Sequence, residues 1–122
     1  MSYFRSSASY GTTGTKTINV PFTPTGYRLT TSALFNGGDT STMHYSEGFA
    51  NSSAQRCHSL FSDSTGNQSI YSISKVLSHY ERVSGVITEV LSLSHSSIGT
   101  SSISFTVNTA NANYQVHIEV FG

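Results

Sequence analysis

Two runs of strict alternation close the sequence. Ile103, Phe105 and Val107 alternate with Ser104, Thr106 and Asn108; after Thr109-Ala110-Asn111-Ala112-Asn113, Tyr114, Val116, Ile118 and Val120 alternate with Gln115, His117 and Glu119. Successive side chains of a strand point to opposite faces, so a period of two marks a strand with one buried face. With a short Asn-containing connection between them, the runs are expected to form an antiparallel hairpin that supplies two strands of the sheet core. The sequence ends one residue after Phe121, and the expectation is of structure here rather than a frayed tail.

Similar but shorter signals recur upstream. Ile18, Val20 and Phe22 alternate with polar residues, and Pro21 places that strand at an edge or a strand end. Thr23-Pro24-Thr25-Gly26 is a turn. Tyr27, Leu29, Thr31, Ala33 and Phe35 share one face of a strand that Asn36-Gly37-Gly38-Asp39 interrupts. Residues 43–50 and 56–61 read as two further strands joined through Asn51-Ser52-Ser53, and 62–67 as a loop. Residues 68–77 have mixed facing. The apolar stretch 83–93 reads as a central strand, or as two with a kink near Gly85. Helix competes for 73–91, opposed by the β-branched residues and scattered serines, and a short turn is expected at Ser78-His79-Tyr80-Glu81. Residues 95–102 read as a loop. About eight short strands with polar turns give an all-β fold with under about 10% helix: an antiparallel β-sandwich, jelly-roll-like.

The first fourteen residues lack a sustained period. They set Tyr3, Phe4 and Tyr10 in a background of Ser, Thr and Gly. We expect residues 1–14 to be an N-terminal arm and 15–122 a single β-sandwich domain. Aromatics bury much area for little rotamer entropy, so Tyr3, Phe4 and Tyr10 are candidate partner-binding anchors, ordered when the arm adds to a neighbour's sheet edge.

A chain of 122 residues is one domain by length. Charged residues make up 10% of it, against about 25% in ordinary soluble domains, and Ser and Thr fill roughly a third of the positions. With six basic and six acidic residues there is no field to attract a polyanion, which argues against nucleic acid as a partner. Net charge near zero favours self-association, so a homo-oligomer is expected. Cys57 is the single cysteine and has no intrachain disulfide partner. The N-terminus does not read as a signal peptide, and no apolar run approaches the ~20 residues that span a bilayer. No membrane partner is expected.

Three segments resemble a β-sandwich domain that recurs in bacteriophage virion structural proteins of the decoration, cement or tail-fibre type. They are Gly14-Thr15-Lys16-Thr17-Ile18-Asn19-Val20-Pro21-Phe22-Thr23-Pro24 with the strand from residue 27 to 35; Gly48-Phe49-Ala50-Asn51 with Gln55-Arg56-Cys57 and Ser62-Asp63; and Phe105-Thr106-Val107 with the terminal run to Gly122. The resemblance covers most of residues 14–122. The first segment departs from it at Arg28 and at Thr30 to Ser32. What the resemblance implies is a non-enzymatic virion structural protein, assembled in the host cytoplasm, with other phage capsid or virion proteins as partners. The short separate chain points to capsid decoration, and closed cyclic symmetry to a trimer. The alternative is a tail-fibre or receptor-binding module that recognises a cell-surface glycan.

Candidate chemistry is sparse. His44 and His58 approach each other only if their strands pair, and Cys57 and His58 point to opposite faces of one strand. No pair has the spacing of a zinc site, so neither metal nor cofactor is expected. A serine, histidine and carboxylate can be combined on paper because serine is everywhere, but no Gly-x-Ser-x-Gly elbow occurs and no catalytic residue is assigned. Tyr27, Tyr45, Tyr71, Tyr80 and Tyr114 are possible stacking faces for a sugar, with core packing the competing role. Arg56 and Arg82, each at a strand end, are candidates for a charge-assisted bond to a neighbouring subunit.

Overall fold

The computed structural model describes residues 2–32, 43–63, 66–83 and 86–122, with backbone alone at 32, 43, 62–63, 66–67 and 82–83. The readings for Ala33, Phe35, the break at 36–39 and Gly85 lie outside these residues. Ten strands and no helix are found among the described residues. They are β1 (Tyr3–Tyr10), β2 (Gly14–Asn19), β3 (Gly26–Ser32), β4 (Met43–Asn51), β5 (Gln55–Asp63), β6 (Gly66–Ser72), β7 (Leu77–Val83), β8 (Val86–Ile98), β9 (Ser102–Ala110) and β10 (Tyr114–Phe121). All pairings are antiparallel. A six-stranded sheet runs β1-β10-β3-β4-β5-β6 and a four-stranded sheet runs β2-β9-β8-β7.

The two closing runs are strands, but they do not form a hairpin. β9 lies between β2 and β8 in the smaller sheet, while β10 lies between β1 and β3 in the larger one. Alternation reports that one face is buried; it does not report which strand is the neighbour. Both inward faces, Ile103, Phe105 and Val107 from β9 and Tyr114, Val116, Ile118 and Val120 from β10, enter one core. There they join Tyr27 and Leu29 of β3, Leu77 of β7, and Val90, Leu91 and Leu93 of β8. The connection between β9 and β10 thus changes sheets, and the Asn111 N–H donates to the Val90 carbonyl at 3.0 Å to fix the corner. Each fully buried Leu, Ile, Val or Phe contributes roughly 1.5–3 kcal/mol, so this shared core dominates what holds the sheets together.

Residues 3–10, expected to wait for a partner, are strand β1 at the edge of this chain's own larger sheet. The register runs from Tyr3 opposite Phe121 to Tyr10 opposite Tyr114. Phe4, Ser6, Ala8 and Tyr10 face inward in alternation. Tyr10 is buried edge-on against Phe105, ring centroids 5.6 Å apart. The inward set contains Ser6 and Ala8, which hides the period from a hydrophobicity reading.

Three other expectations need correction. Ser78 to Glu81 is not a turn but part of β7, with a bulge between His79 and Tyr80. Residues 95–98 are not loop but the end of the 13-residue β8, which stays paired with β9 through two register shifts. Of the two readings of 83–93, the single central strand gives way to the one with two strands: Val83 ends β7 and pairs with Val86 at the start of β8.

Gly48 shows how closely the sheets approach. It faces inward on β4, and a Cβ there would run into the backbone carbonyl of Val76, in the segment leading to β7. A backbone atom cannot swing aside as a side-chain tip can, so only glycine fits.

Candidate functional site

The outer face of the larger sheet is built by register. Along one row, Arg5 of β1 lies opposite Glu119 of β10, Glu119 opposite Arg28 of β3, Arg28 opposite Phe49 of β4, and Phe49 opposite Arg56 of β5. The next row carries His117, Thr30, Glu47, His58 and Tyr71 across β10 to β6. Since alternate residues of each strand face outward, three of the chain's four arginines share this surface with two of its six acids.

Arg28 organises the middle. Its guanidinium donates to Glu119 at 2.9 Å and to Glu47 at 2.6 Å. The Tyr45 hydroxyl also donates to Glu47, at 3.1 Å. The hydrogen bond from Arg28 holds the Glu47 carboxyl below the usual carboxylate range, against the opposing effect of partial burial. The other Glu47 oxygen lies 3.5 Å from His58 Nε2. Arg28 is therefore neutralised twice over and is partly solvent-exposed, a pair of the kind that contributes about 1 kcal/mol or less.

Beside this ion pair is a depression of about 230 Å³ lined by Arg28, Glu47, Gly48, Phe49, Arg56, Cys57, His58 and Tyr71. Tyr71 is 61% exposed and Phe49 42%. Arg56 is exposed and has no hydrogen-bond or ion-pair partner among the described residues. Two open aromatic rings, one free guanidinium, an imidazole and a carboxylate thus surround one shallow space. A second depression, of about 620 Å³, lies over β1 and β10 and is lined by Arg5, Ser6, Ser7, Thr30, His117 and Glu119. Its only ring among the described residues is the His117 imidazole; no Phe or Tyr lines it.

The anticipated residues are distributed unevenly. Arg56 lies in the first depression; the side chain of Arg82 is outside the description, its backbone pairing with Ile87. Phe4 and Tyr10 face the chain's own core, whereas Tyr3 faces outward, its hydroxyl donating to Glu119 at 2.9 Å. Of the five tyrosines considered for sugar stacking, Tyr27 and Tyr114 are buried and Tyr71 is exposed. Arg28, Glu47 and Phe49 were not anticipated, and His58 was considered only as a metal ligand. Their convergence depends on cross-strand register, which no local spacing reveals.

His44 and His58 lie on opposite faces of the larger sheet, because His44 is opposite Phe61 and His58 is opposite Glu47. No group of three side chains able to hold a metal occurs among the described residues. Cys57 points inward, and burial pushes its thiol up to about 11. No helix among the described residues is long and apolar enough to cross a membrane.

One serine–histidine–carboxylate set does come together. His79 Nδ1 is 2.7 Å from Ser46 Oγ, and Nε2 is 3.2 Å from Glu81. Ser46 donates its own proton to Ser59, at 2.8 Å, so that proton is not handed to the imidazole, while the Glu81 carboxylate can only accept from the ring's other nitrogen. A base that takes no proton from the hydroxyl does not activate it. Ser46, Ser59 and His79 are also fully buried. The set ties β4 and β5 of one sheet to β7 of the other and satisfies polar groups within the core. A second such tie joins Tyr27 of β3 to His95 of β8, through a hydrogen bond of 2.7 Å between the hydroxyl and Nδ1.

No family model matches the chain, and neither a curated protein nor a solved structure matches it significantly.

Proposed function

We propose that this chain is a non-enzymatic virion protein that acts by binding, and that its role is recognition of a cell-surface glycan through the outer face of the larger sheet. The single observation behind this reading is the depression in which exposed Tyr71 and Phe49 flank the unpaired Arg56. Aromatic rings offer a stacking face to the C–H side of a sugar, and interleaved donors and acceptors suit its hydroxyls. The two sheets would then form a sandwich. β1 pairs with β10 and β2 with β9, as in a rolled, jelly-roll-like hairpin, while β3 to β6 and β7 to β9 run as meanders.

Capsid decoration as a trimer is the second reading. It is favoured by exposed apolar side chains near the open edge of the same sheet, Leu60 on β5 and the 67%-exposed Ile73 just after the end of β6. Exposed apolar side chains along a free strand edge suit a contact between subunits.

The test measures co-sedimentation of the labelled chain with surface polysaccharide extracted from host bacteria and, separately, with capsids. Retention by polysaccharide that Tyr71→Ala abolishes supports glycan recognition. Binding to capsids alone, in hundreds of copies per particle, replaces it with decoration.

A further inference from the structure

The depression on β4 to β6 has a charge balance that specifies its ligand further. We propose that it is a subsite for a sugar ring bearing a carboxylate, with Arg56 as the carboxylate's partner and Tyr71 and Phe49 as the walls that hold the ring. The proposal rests on the glycan-recognition reading above and names the class of glycan.

Size sets the first limit. Sites that enclose a drug-sized ligand run to roughly 300–1,000 Å³, and the depression offers about 230 Å³. It holds one ring and leaves the rest of a longer chain outside. Charge sets the second. Arg28 is occupied by Glu47 and Glu119, so it offers no free charge to a ligand. Arg56, directly opposite Phe49 in the register, offers one. A guanidinium presents a planar fork of donors that matches a carboxylate with two parallel hydrogen bonds. A phosphate or sulfate ester, with more charge and the Glu47 carboxylate at the wall, lacks the several cations such groups are usually given.

The uncharged part of the ring is also provided for. His58 and Glu47 sit side by side on the next row, the one a donor when its Nε2 carries the proton and the other an acceptor. They suit vicinal hydroxyls, which both give and receive hydrogen bonds. Tyr71 lies opposite His58 on the edge strand β6, with its side chain largely exposed. Across the depression Tyr71 stands on β6, Arg56 on the adjacent strand β5, and Phe49 beyond it on β4, so the charge lies between the two rings. The depression over β1 and β10 also has an arginine, Arg5, but no phenyl or phenol ring to stack on, His117 supplying only an imidazole. Charge alone does not make the site; the combination does.

The experiment is isothermal titration of the full chain with short glucuronate-containing oligosaccharides, and with the same oligosaccharides after reduction of the carboxylate to a hydroxymethyl group. Carboxylate reduction and Arg56→Gln are each expected to weaken binding at least tenfold, with Arg56→Lys recovering part of the loss. Tyr71→Ala is expected to weaken it at least tenfold and Tyr71→Phe to leave it within threefold, while Arg5→Gln has no effect. Circular dichroism of each variant confirms that these surface changes leave the sheets intact. Equal binding of native and reduced oligosaccharides, or Arg56→Gln binding as the parent does, overturns the carboxylate assignment. If host polysaccharide is bound under those outcomes, glycan recognition itself survives. If neither the oligosaccharides nor any host polysaccharide is bound, both fall.

Discussion

The two sheets turn very different outer faces to solvent. On the larger sheet, Arg5, Arg28, Arg56, Glu47 and Glu119 lie among Phe49, Tyr71, His58 and His117. On the smaller one, over β2, β9 and the later half of β8, the outward residues are Thr15, Thr17, Ser104, Thr106, Asn108 and Ser94. They bond to each other: Thr15 to Thr106 at 3.3 Å, Thr17 to Ser104 at 3.0 Å, and Asn108 to Ser94 at 2.6 Å. Hydroxyls paired along a ladder satisfy one another and present little for a ligand to gain. Charges concentrated on the other face, with Arg5 and Arg56 lacking a side-chain partner among the described residues, leave a gain still to be made. The comparison separates a face that closes the structure from a face that remains open for recognition.

If that division is right, substitutions behind the larger sheet damage the fold and those in front of it damage binding. The largest effect is expected from removing residues 2–13. This strips β1 from β10 and takes Phe4 and Tyr10 out of the core, at a cost of roughly 3–6 kcal/mol for two large aromatic side chains. Thermal unfolding should show a marked loss of stability or no folded protein; an unchanged transition would return residues 3–10 to the status of an arm. Gly48→Ala comes next, at about 3 kcal/mol, because the Val76 carbonyl cannot yield without moving its strand. A melting temperature lowered by less than a few degrees would show that the sheets have slack there.

Smaller effects sharpen the contrast. Tyr27→Phe removes the hydroxyl that bridges to His95 and should cost about 1 kcal/mol, measurable by urea denaturation. Acid should weaken the same tie. Burial holds the His95 imidazole below its ordinary value, so its contribution is present above about pH 6.5 and is lost as pH falls through the lowered folded value. Glu47 and Glu81 are held down by hydrogen bonds from Arg28 and His79, so a second loss begins below about pH 4.5. Unfolding midpoints measured from pH 8 to pH 3 should therefore decline in two stages; a rise on acidification would contradict both assignments. The smallest change is expected on the hydroxyl face. The double substitution Thr15→Val and Thr106→Val should alter stability by no more than about 0.5 kcal/mol and leave ligand binding untouched. A loss of binding there would erase the distinction between the faces.

The sequence made the strands legible wherever one face was continuously apolar, as in β3, β9 and β10. It left β1 unread because Ser6 and Ala8 occupy two of its four inward positions. It also suggested the wrong neighbour for β9, since a period of two carries no information about pairing. Residues 95–98 read as loop because Ser-rich composition there reflects an outer face and two register shifts, not a break in the ladder. The site was legible only in fragments. Arg56 and Tyr71 stood out separately, one as a lone charge and one as a possible stacking ring, and β5 and β6 had to be set in register before they became neighbours. Arg28 and Glu47, 19 residues apart, gave no local sign of an ion pair.

The pairing of β1 with β10 and β2 with β9 has a consequence for how the protein is made. Tyr3 and its partner Glu119 are separated by 116 positions. At ribosomal rates of about 5–20 residues per second, the first strand emerges on the order of ten seconds before the strand that will hold it. Contacts this distant in sequence also close slowly, because loop entropy is lost before they form. For that interval β1 and β2 are bare strands with nothing to pair with, the condition under which nascent chains adhere to one another. Their wealth of Ser, Thr and Gly, which obscured them as strands, keeps them soluble while they wait.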